Sequence, residues 1–311
     1  MSEQKKEMFL ADDGRKYTKE QYLNKLRRGV LLRENVWLVC CILSFIATFT
    51  YLFFIYKFGL LAGSPWKYIN IILLLLLTSF NIYLLPIVLR KNTRYTEYSA
   101  KFKQMYVKPL LEDAFGSGSY TKEEKVSIKE ITEFSMLKKA RSARANDCVK
   151  GNYDGVPFIR YDLTMKYENK SGKTDCVLIV AQIDTNLKEE LQLVHEDFGI
   201  GKADYEQPDD YCQVLSPDKD FDKKFFIYAK NQREGEKFAR KLPYRKLISF
   251  SKKLPVAAFF DRGKVYLVVG RGKDVMEAPI YRAVKEGRCI KEAEAEVDLI
   301  KNWISILKEC V

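Results

Sequence analysis

The residues able to do chemistry in this chain are few, and their spacing pairs them poorly. His195 is the only histidine among 311 residues, so any imidazole base or zinc centre would have to be built around it. Seven cysteines stand at 40, 41, 148, 176, 212, 289 and 310 without a C-x-x-C pair, the spacing that a structural zinc site or a dithiol redox centre requires. Scattered and odd in number, they fit reduced cytosolic thiols rather than a disulfide framework. Asp218, Asp220 and Asp222 alternate like the opening of a calcium loop, but its glycine and distal glutamate are missing. Gly270-Arg271-Gly272-Lys273 follows an apolar strand without the Walker spacing or the Ser/Thr that would reach magnesium. No G-x-S-x-G nucleophile turn occurs. The sequence therefore nominates no catalytic, cofactor-binding or metal-ligating residue, and no cofactor is expected.

Charge gives a different kind of candidate. The net charge is +12. Lys223, Lys224, Lys230, Arg233, Lys237, Arg240, Lys241, Arg245, Lys246, Lys252 and Lys253 crowd a stretch holding only Glu234 and Glu236 as acids. Helical spacing puts Arg233, Lys237 and Lys241 on one face, with Arg240 beside them. These four are the candidate contacts for anionic lipid headgroups. Nucleic acid is disfavoured as a partner, because no aromatic stacking platform is interleaved with the cations.

The lipid reading follows from the elements around that run. Val36–Tyr56 and Tyr68–Leu89 carry no charged residue, and a 21-residue helix at ~1.5 Å per residue reaches ~31 Å, the depth of a hydrocarbon core. Together they predict a transmembrane hairpin over residues 36–89. The first stretch is too long and too far from the N-terminus for a signal peptide. Lys25, Arg27, Arg28 and Arg33 precede the hairpin and Arg90, Lys91, Arg94, Lys101 and Lys103 follow it, whereas the loop carries only Lys57 and Lys67. The positive-inside rule then places both termini in the cytoplasm of a multi-pass plasma-membrane protein. Asn70 and Asn81 are the candidate helix–helix contacts, within the hairpin or with a second copy. The absence of charge inside either span argues against an ion or proton pathway.

Before the hairpin, residues 1–35 form a cytosolic segment. Thr18 and Gln21 make a capping box, and Tyr22, Leu26 and Val30 then recur every fourth residue. Thr18–Glu34 is expected as an amphipathic helix that lies on the inner interface or docks on the chain's own cytosolic domain. Residues 90–145 are expected as a helical connector: Thr96–Ala114, kinked near Lys108 by Pro109, then Thr121–Ala140.

Residues 146–311 predict one cytosolic α+β domain with an antiparallel or mixed sheet. Ile159, Tyr161, Leu163, Met165 and Tyr167 alternate with Arg160, Asp162, Thr164, Lys166 and Glu168, the pattern of a strand with one wet face. Cys176–Ala181 is wholly apolar and predicts a strand buried on both faces. The acidic stretch 185–222 is expected to be irregular. Phe225–Tyr228 follows as a strand, then helices over Gln232–Lys241 and Pro243–Lys252. Val256–Phe260 and Val265–Val269 are expected as a hairpin. Ile290–Cys310 closes the chain as an amphipathic helix with Val297, Ile300, Trp303, Ile304 and Leu307 on one face.

Asn146 to Phe158 reads Asn-Asp-Cys-Val-Lys-Gly-Asn-Tyr-Asp-Gly-Val-Pro-Phe. That block, Phe225–Tyr228, the helix pair after it and the hairpin Val256–Val269 resemble a bacterial domain-of-unknown-function family, number 3137 in that series. Where a Phe-rich strand is usual in the family, this chain has Cys176–Asn186. The resemblance implies a two-pass hairpin with one cytosolic domain in a bacterial inner membrane, and carries no activity or catalytic residue. These features point first to a non-enzymatic scaffold or sensor that presents an interaction domain to an unidentified protein partner at the membrane face. The alternatives are an enzyme acting on a membrane-proximal lipid headgroup or nucleotide, or an accessory subunit of a transport complex.

Overall fold

A computed structural model describes residues 8–10, 14–57, 67–89, 93–121, 140–167, 173–184, 187–198, 210–251, 254–261, 263–271 and 276–311. The chain forms two compact units. One comprises Met1–Met105 with Ala278–Arg288, and the other Tyr106–Glu277 with Cys289–Val311.

The first unit opens with a small antiparallel pair, β1 (Met8–Leu10) and β2 (Lys16–Thr18). The capping box then starts α1 (Lys19–Lys57): the Thr18 amide donates to Gln21 Oε1 at 3.1 Å, and the Gln21 amide to Thr18 Oγ1 at 3.3 Å. The helix runs unbroken for 39 residues, through the expected boundary at residue 35. Among the described residues α1 is long and apolar enough to cross a membrane, and only 17% of its apolar window is buried. A core helix of a soluble domain would bury most of that surface. The second apolar helix, α2 (Lys67–Leu89), packs antiparallel against it, with Tyr68–Tyr83 as its described apolar part. The expected turn between the helices lies outside the described residues.

Next comes α3 (Thr93–Phe102), then a π-helical turn (Lys103–Val107) and α4 (Lys108–Phe115). The kink expected from Pro109 takes this form. The proline sits in the first turn of α4, where its missing N–H costs no helical hydrogen bond. The second expected connector helix is not seen at its ends: Thr121 closes β3 (Tyr120–Thr121) and Ala140 opens β4 (Ala140–Tyr153). Residues 122–139 lie outside the described ones.

The second unit is built on a nine-stranded sheet, antiparallel at every pairing. Its remaining strands and helices, in chain order, are β5 (Val156–Tyr167), β6 (Lys173–Ala181), β7 (Leu191–His195), β8 (Cys212–Val214), α5 (Lys219–Asp222), β9 (Phe225–Ala229), α6 (Gln232–Lys241), α7 (Tyr244–Ser251), β10 (Val256–Asp261), β11 (Lys264–Arg271) and α8 (Glu286–Glu309). Strand order is β3-β4-β5-β6-β11-β10-β7-β9-β8. The β4–β5 hairpin turns on Asp154 and Gly155, both at positive φ (51° and 78°), as a tight two-residue turn requires.

One cross-strand row runs through all nine strands: Tyr120, Val149, Arg160, Ile179, Leu267, Ala258, Leu193, Ile227 and Val214. Every member is buried. Helix α6 packs on this face through Phe238, edge-on to Phe260 at 4.8 Å, and through Gly235, where a Cβ would lie 2.6 Å from Val214 Cγ2. Helix α8 reaches it at Arg160, and its Trp303 packs against Phe250 of α7 at 5.3 Å. The opposite face holds a second apolar cluster including Leu163, Met165, Cys176, Leu178, Val194, Ala257, Phe259 and Val268.

Two expectations fail here. The stretch 185–222 contains β7, every residue of which is buried, together with β8 and α5. Five residues, two of them the polar Gln192 and His195, between acidic flanks are too short to be distinguished by periodicity. The wet face expected on β5 also fails at its start: Lys166 is exposed, but Arg160 is 0% and Asp162 6% exposed. Those two charges form the polar centre of the domain.

Candidate functional site

Arg160 and Asp162 stand two residues apart on β5 and so point to the same face of the sheet. Arg160 Nη1 donates to Asp162 Oδ2 at 2.7 Å and Nη2 to Oδ1 at 2.8 Å, a bidentate fork. Nη2 also reaches Glu296 Oε2 of α8 at 3.2 Å, and Nη1 the carbonyl of Asp147 at 3.4 Å and Met276 Sδ at 3.9 Å. Asp147 occupies a β-bulge between Asn146 and Cys148, with φ +50°. Its carboxylate accepts a short hydrogen bond from the Tyr120 hydroxyl on β3. The bulge gives β4 one extra residue, and aspartate tolerates the left-handed conformation better than most side chains.

Three carboxylates thus surround one guanidinium in a buried site. Burial lowers the affinity of Arg160 for its proton, but Asp162 and Glu296 outweigh that and hold it charged, above its ordinary value. Burial, together with the neighbouring charges of Asp147 and Glu296, raises the Asp162 carboxyl by more than Arg160 lowers it. The Tyr120 hydroxyl is pushed up by burial and then by Asp147, so it stays protonated and donates. Arg160 takes the position a metal ion would need among these carboxylates, so the cluster ties β3, β4, β5 and α8 together without one. The sequence reading missed it because a charge at every second position imitates a solvated face. The available signal was the neighbour: β5 pairs with the wholly apolar Cys176–Ala181, which leaves no water for Arg160 and Asp162 to face.

Residues 176–309 match the family described as Protein of unknown function (DUF3137). That part of the chain is similar to the family. The match runs from β6 to the last residue of α8, so the DUF3137 region includes Glu296, while the Asn146–Phe158 block that first suggested the resemblance lies before it. No curated protein and no solved structure matches the chain.

Within the DUF3137 region, His195 closes β7 with its ring edge-on to Phe225 at 5.0 Å. His195, Glu196 and Asp197 bring one ligand atom each within 4.8 Å of one another. Two of the three groups are already engaged: His195 Nδ1 accepts the Asp197 amide at 3.1 Å, and Lys224 holds Glu196. Burial lowers the imidazole's proton affinity, which keeps it neutral. Asp218 is a helix cap rather than a calcium ligand, accepting the amides of Asp220 and Phe221 at 2.9 and 3.0 Å.

Five of the eleven cations in the basic run are paired with acids among the described residues. Lys223 pairs with Asp220, Lys224 with Glu196, Lys230 with Glu190 and Lys246 with Glu309, while Lys237 pairs with Glu234 on its own helix. Lys241 reaches the Val311 carbonyl at 3.5 Å. Arg233 and Arg240 are exposed and carry no ion pair among the described residues; Lys252 and Lys253 lie outside them. The ion pairs are exposed or half-exposed, each worth ~0–1 kcal/mol.

Asn70 and Asn81 both face α1. Tyr51 donates its hydroxyl to Asn70 Oδ1 at 2.9 Å, and Asn81 Nδ2 donates to Thr48 Oγ1 at 2.8 Å. The α1 side of this seam is Cys41, Ser44, Thr48, Tyr51 and Ile55, a three-four spacing that keeps one stripe of the helix against its neighbour. Those polar residues were visible as interruptions of the apolar run, and their spacing was the signal not used.

Proposed function

We propose that the chain is a two-pass plasma-membrane protein with both termini in the cytoplasm, and that it works as a non-enzymatic scaffold or sensor presenting its sheet domain to a protein partner at the inner face. One observation carries the reading: α1 is a single helix whose apolar half is left uncovered while its polar half is fixed into the protein. Phe45, Ile46, Phe49 and Phe53 are 43–68% exposed, whereas Leu23 and Val30 on the same helix are 0% exposed. Uncovered aromatic and aliphatic side chains of this extent support a lipid surrounding. The Tyr51–Asn70 and Thr48–Asn81 bonds support a second crossing by α2, since side-chain hydrogen bonds between apolar helices are a means of holding helices together in lipid.

A continuous helix also gives the reading its sensor aspect, because displacement of the apolar half is transmitted to the polar half without a hinge. Reporter fusions test the topology. A periplasm-active reporter after Val311 should be silent and one after Gly63 active; the reverse pattern overturns the orientation, and silence at both positions overturns the crossing. Replacing Asn70 and Asn81 together by Leu should loosen α1 from α2 by ~1–3 kcal/mol in lipid, read as faster labelling of the buried Cys41 by added thiol probes.

A further inference from the structure

Ala278–Arg288 comes from the C-terminal half of the chain yet packs in the first unit, on the polar half of α1. Asn24 holds it by a reciprocal pair: Nδ2 donates to the Val284 carbonyl at 2.8 Å, and the Val284 amide donates to Oδ1 at 3.0 Å. Arg27 Nη1 donates to the Ile280 carbonyl at 3.0 Å, and the Tyr98 hydroxyl of α3 to the Pro279 carbonyl at 2.6 Å. The Glu286 amide points at Glu20 Oε2 at 3.4 Å. Val284 is 0% exposed in this seat, whereas Tyr281 is 87% exposed and Arg282, Lys285 and Arg288 face solvent. A fully exposed tyrosine beside an arginine has no packing reason inside the unit. Aromatic rings with adjacent cations are the side chains that membrane interfaces take.

Position along α1 decides what these side chains can touch. Arg27 precedes Val36, the first residue of the uncharged stretch, by nine residues, or ~14 Å at ~1.5 Å per residue. A headgroup layer occupies ~5–7 Å of that distance. The Tyr281–Arg282 corner, held at Arg27, is therefore ~7 Å from the headgroups, within the length of an arginine stem and within the ~8 Å Debye length. Lys285 is held lower, next to the Asn24 bond, and Arg288 lower again, beyond Glu20, ~17 Å from the headgroups by the same measure. The surrounding charge favours an anionic surface: residues 14–35, 93–105 and 278–288 hold thirteen Lys and Arg against four Glu.

We propose that Ala278–Arg288 is a strap that binds anionic phospholipid headgroups through its Tyr281–Arg282 corner, so that the segment joining β11 to α8 registers the charge of the inner leaflet. This rests on the membrane reading of α1. It moves the lipid contact from α6 to a segment whose hydrogen bonds fix it to the membrane helix itself.

The test is hydrogen exchange of the 278–288 peptide in the full-length protein, reconstituted into nanodiscs of phosphatidylcholine with and without phosphatidylglycerol. One cation near an anionic surface is worth about a fivefold effect, so exchange should slow about fivefold in the anionic discs. The difference should vanish in about 1 M salt, where the Debye length is ~3 Å. Arg282→Ser should remove it, Arg282→Lys should keep it, and Arg288→Ser should leave it in place. Equal exchange in the two lipids overturns the proposal, as does an Arg288→Ser effect equal to that of Arg282→Ser. Loss of the difference on changing Lys237, Arg240 and Lys241 to Ser would return the lipid contact to α6. Failure of the protein to enter discs of either lipid, with release from membranes by alkaline carbonate, would overturn the membrane reading itself.

Discussion

Replacing Arg160 by Met keeps much of the side chain's length and removes the guanidinium that faces Asp147, Asp162 and Glu296. Arg160 is 0% exposed and makes two bonds to Asp162 and one to Glu296, so water has no route to compensate. Breaking a buried ion pair by removing one partner costs ~3–5 kcal/mol, a large share of the ~5–15 kcal/mol that holds a typical domain together. At ~1.4 kcal/mol per factor of ten, amides in β5 and α8 should exchange about two to three and a half orders of magnitude faster in the full-length variant. The loss should depend on pH. Burial already raises the Asp162 carboxyl, and without Arg160 the two effects that lower it disappear. A carboxyl whose folded pKa lies above its unfolded value binds more protons folded than unfolded between the two, so its stability falls as pH rises through that window. The deficit of the variant should be greatest at neutral pH and shrink as pH approaches the ordinary carboxylate range. Glu296→Gln, which keeps an acceptor for Arg160 and removes one of three negative charges, should cost far less. Exchange within tenfold of the parent protein at neutral pH, or equal damage from Glu296→Gln, would refute the view that Arg160 balances this cluster.

Tyr120→Phe removes the hydroxyl that Asp147 accepts and should destabilise the β3–β4 edge by ~1–3 kcal/mol, seen as faster exchange confined to β3 and the start of β4. Gly235→Ala places a methyl 2.6 Å from Val214 Cγ2 and 2.8 Å from Ala229 Cβ. That overpacking should cost ~1–3 kcal/mol and expose Cys212 of β8 to thiol labelling. Burial holds the His195 imidazole below its ordinary value, so its contribution to stability is complete above the unfolded pKa and is lost as pH falls through the folded one. His195→Gln should flatten that acid-side loss in proteolysis profiles, and an unchanged slope would assign it to other groups.

The elements with strong local patterns were legible in the residues alone. The capping box at Thr18, the uncharged helices, the buried β6 and the amphipathic α8 each follow from periodicity and charge, because desolvation acts on every residue of such a segment. Membrane depth likewise depends only on length and apolarity. What tertiary structure decided is which charges lose their water. Arg160 and Lys166 have the same parity on one strand, yet only Arg160 lies under α8, opposite Ile179 and within reach of Glu296. The cations around α6 read as one patch in sequence, yet Lys223, Lys224, Lys230 and Lys246 are paired because Asp220, Glu196, Glu190 and Glu309 reach them. Ala278–Arg288 carries no pattern that ties it to Asn24, roughly 260 residues away; its place is fixed by backbone hydrogen bonds that any sequence could offer. Local desolvation is written in composition and spacing, whereas long-range electrostatic pairing exists only once the sheet has brought distant strands and α8 together.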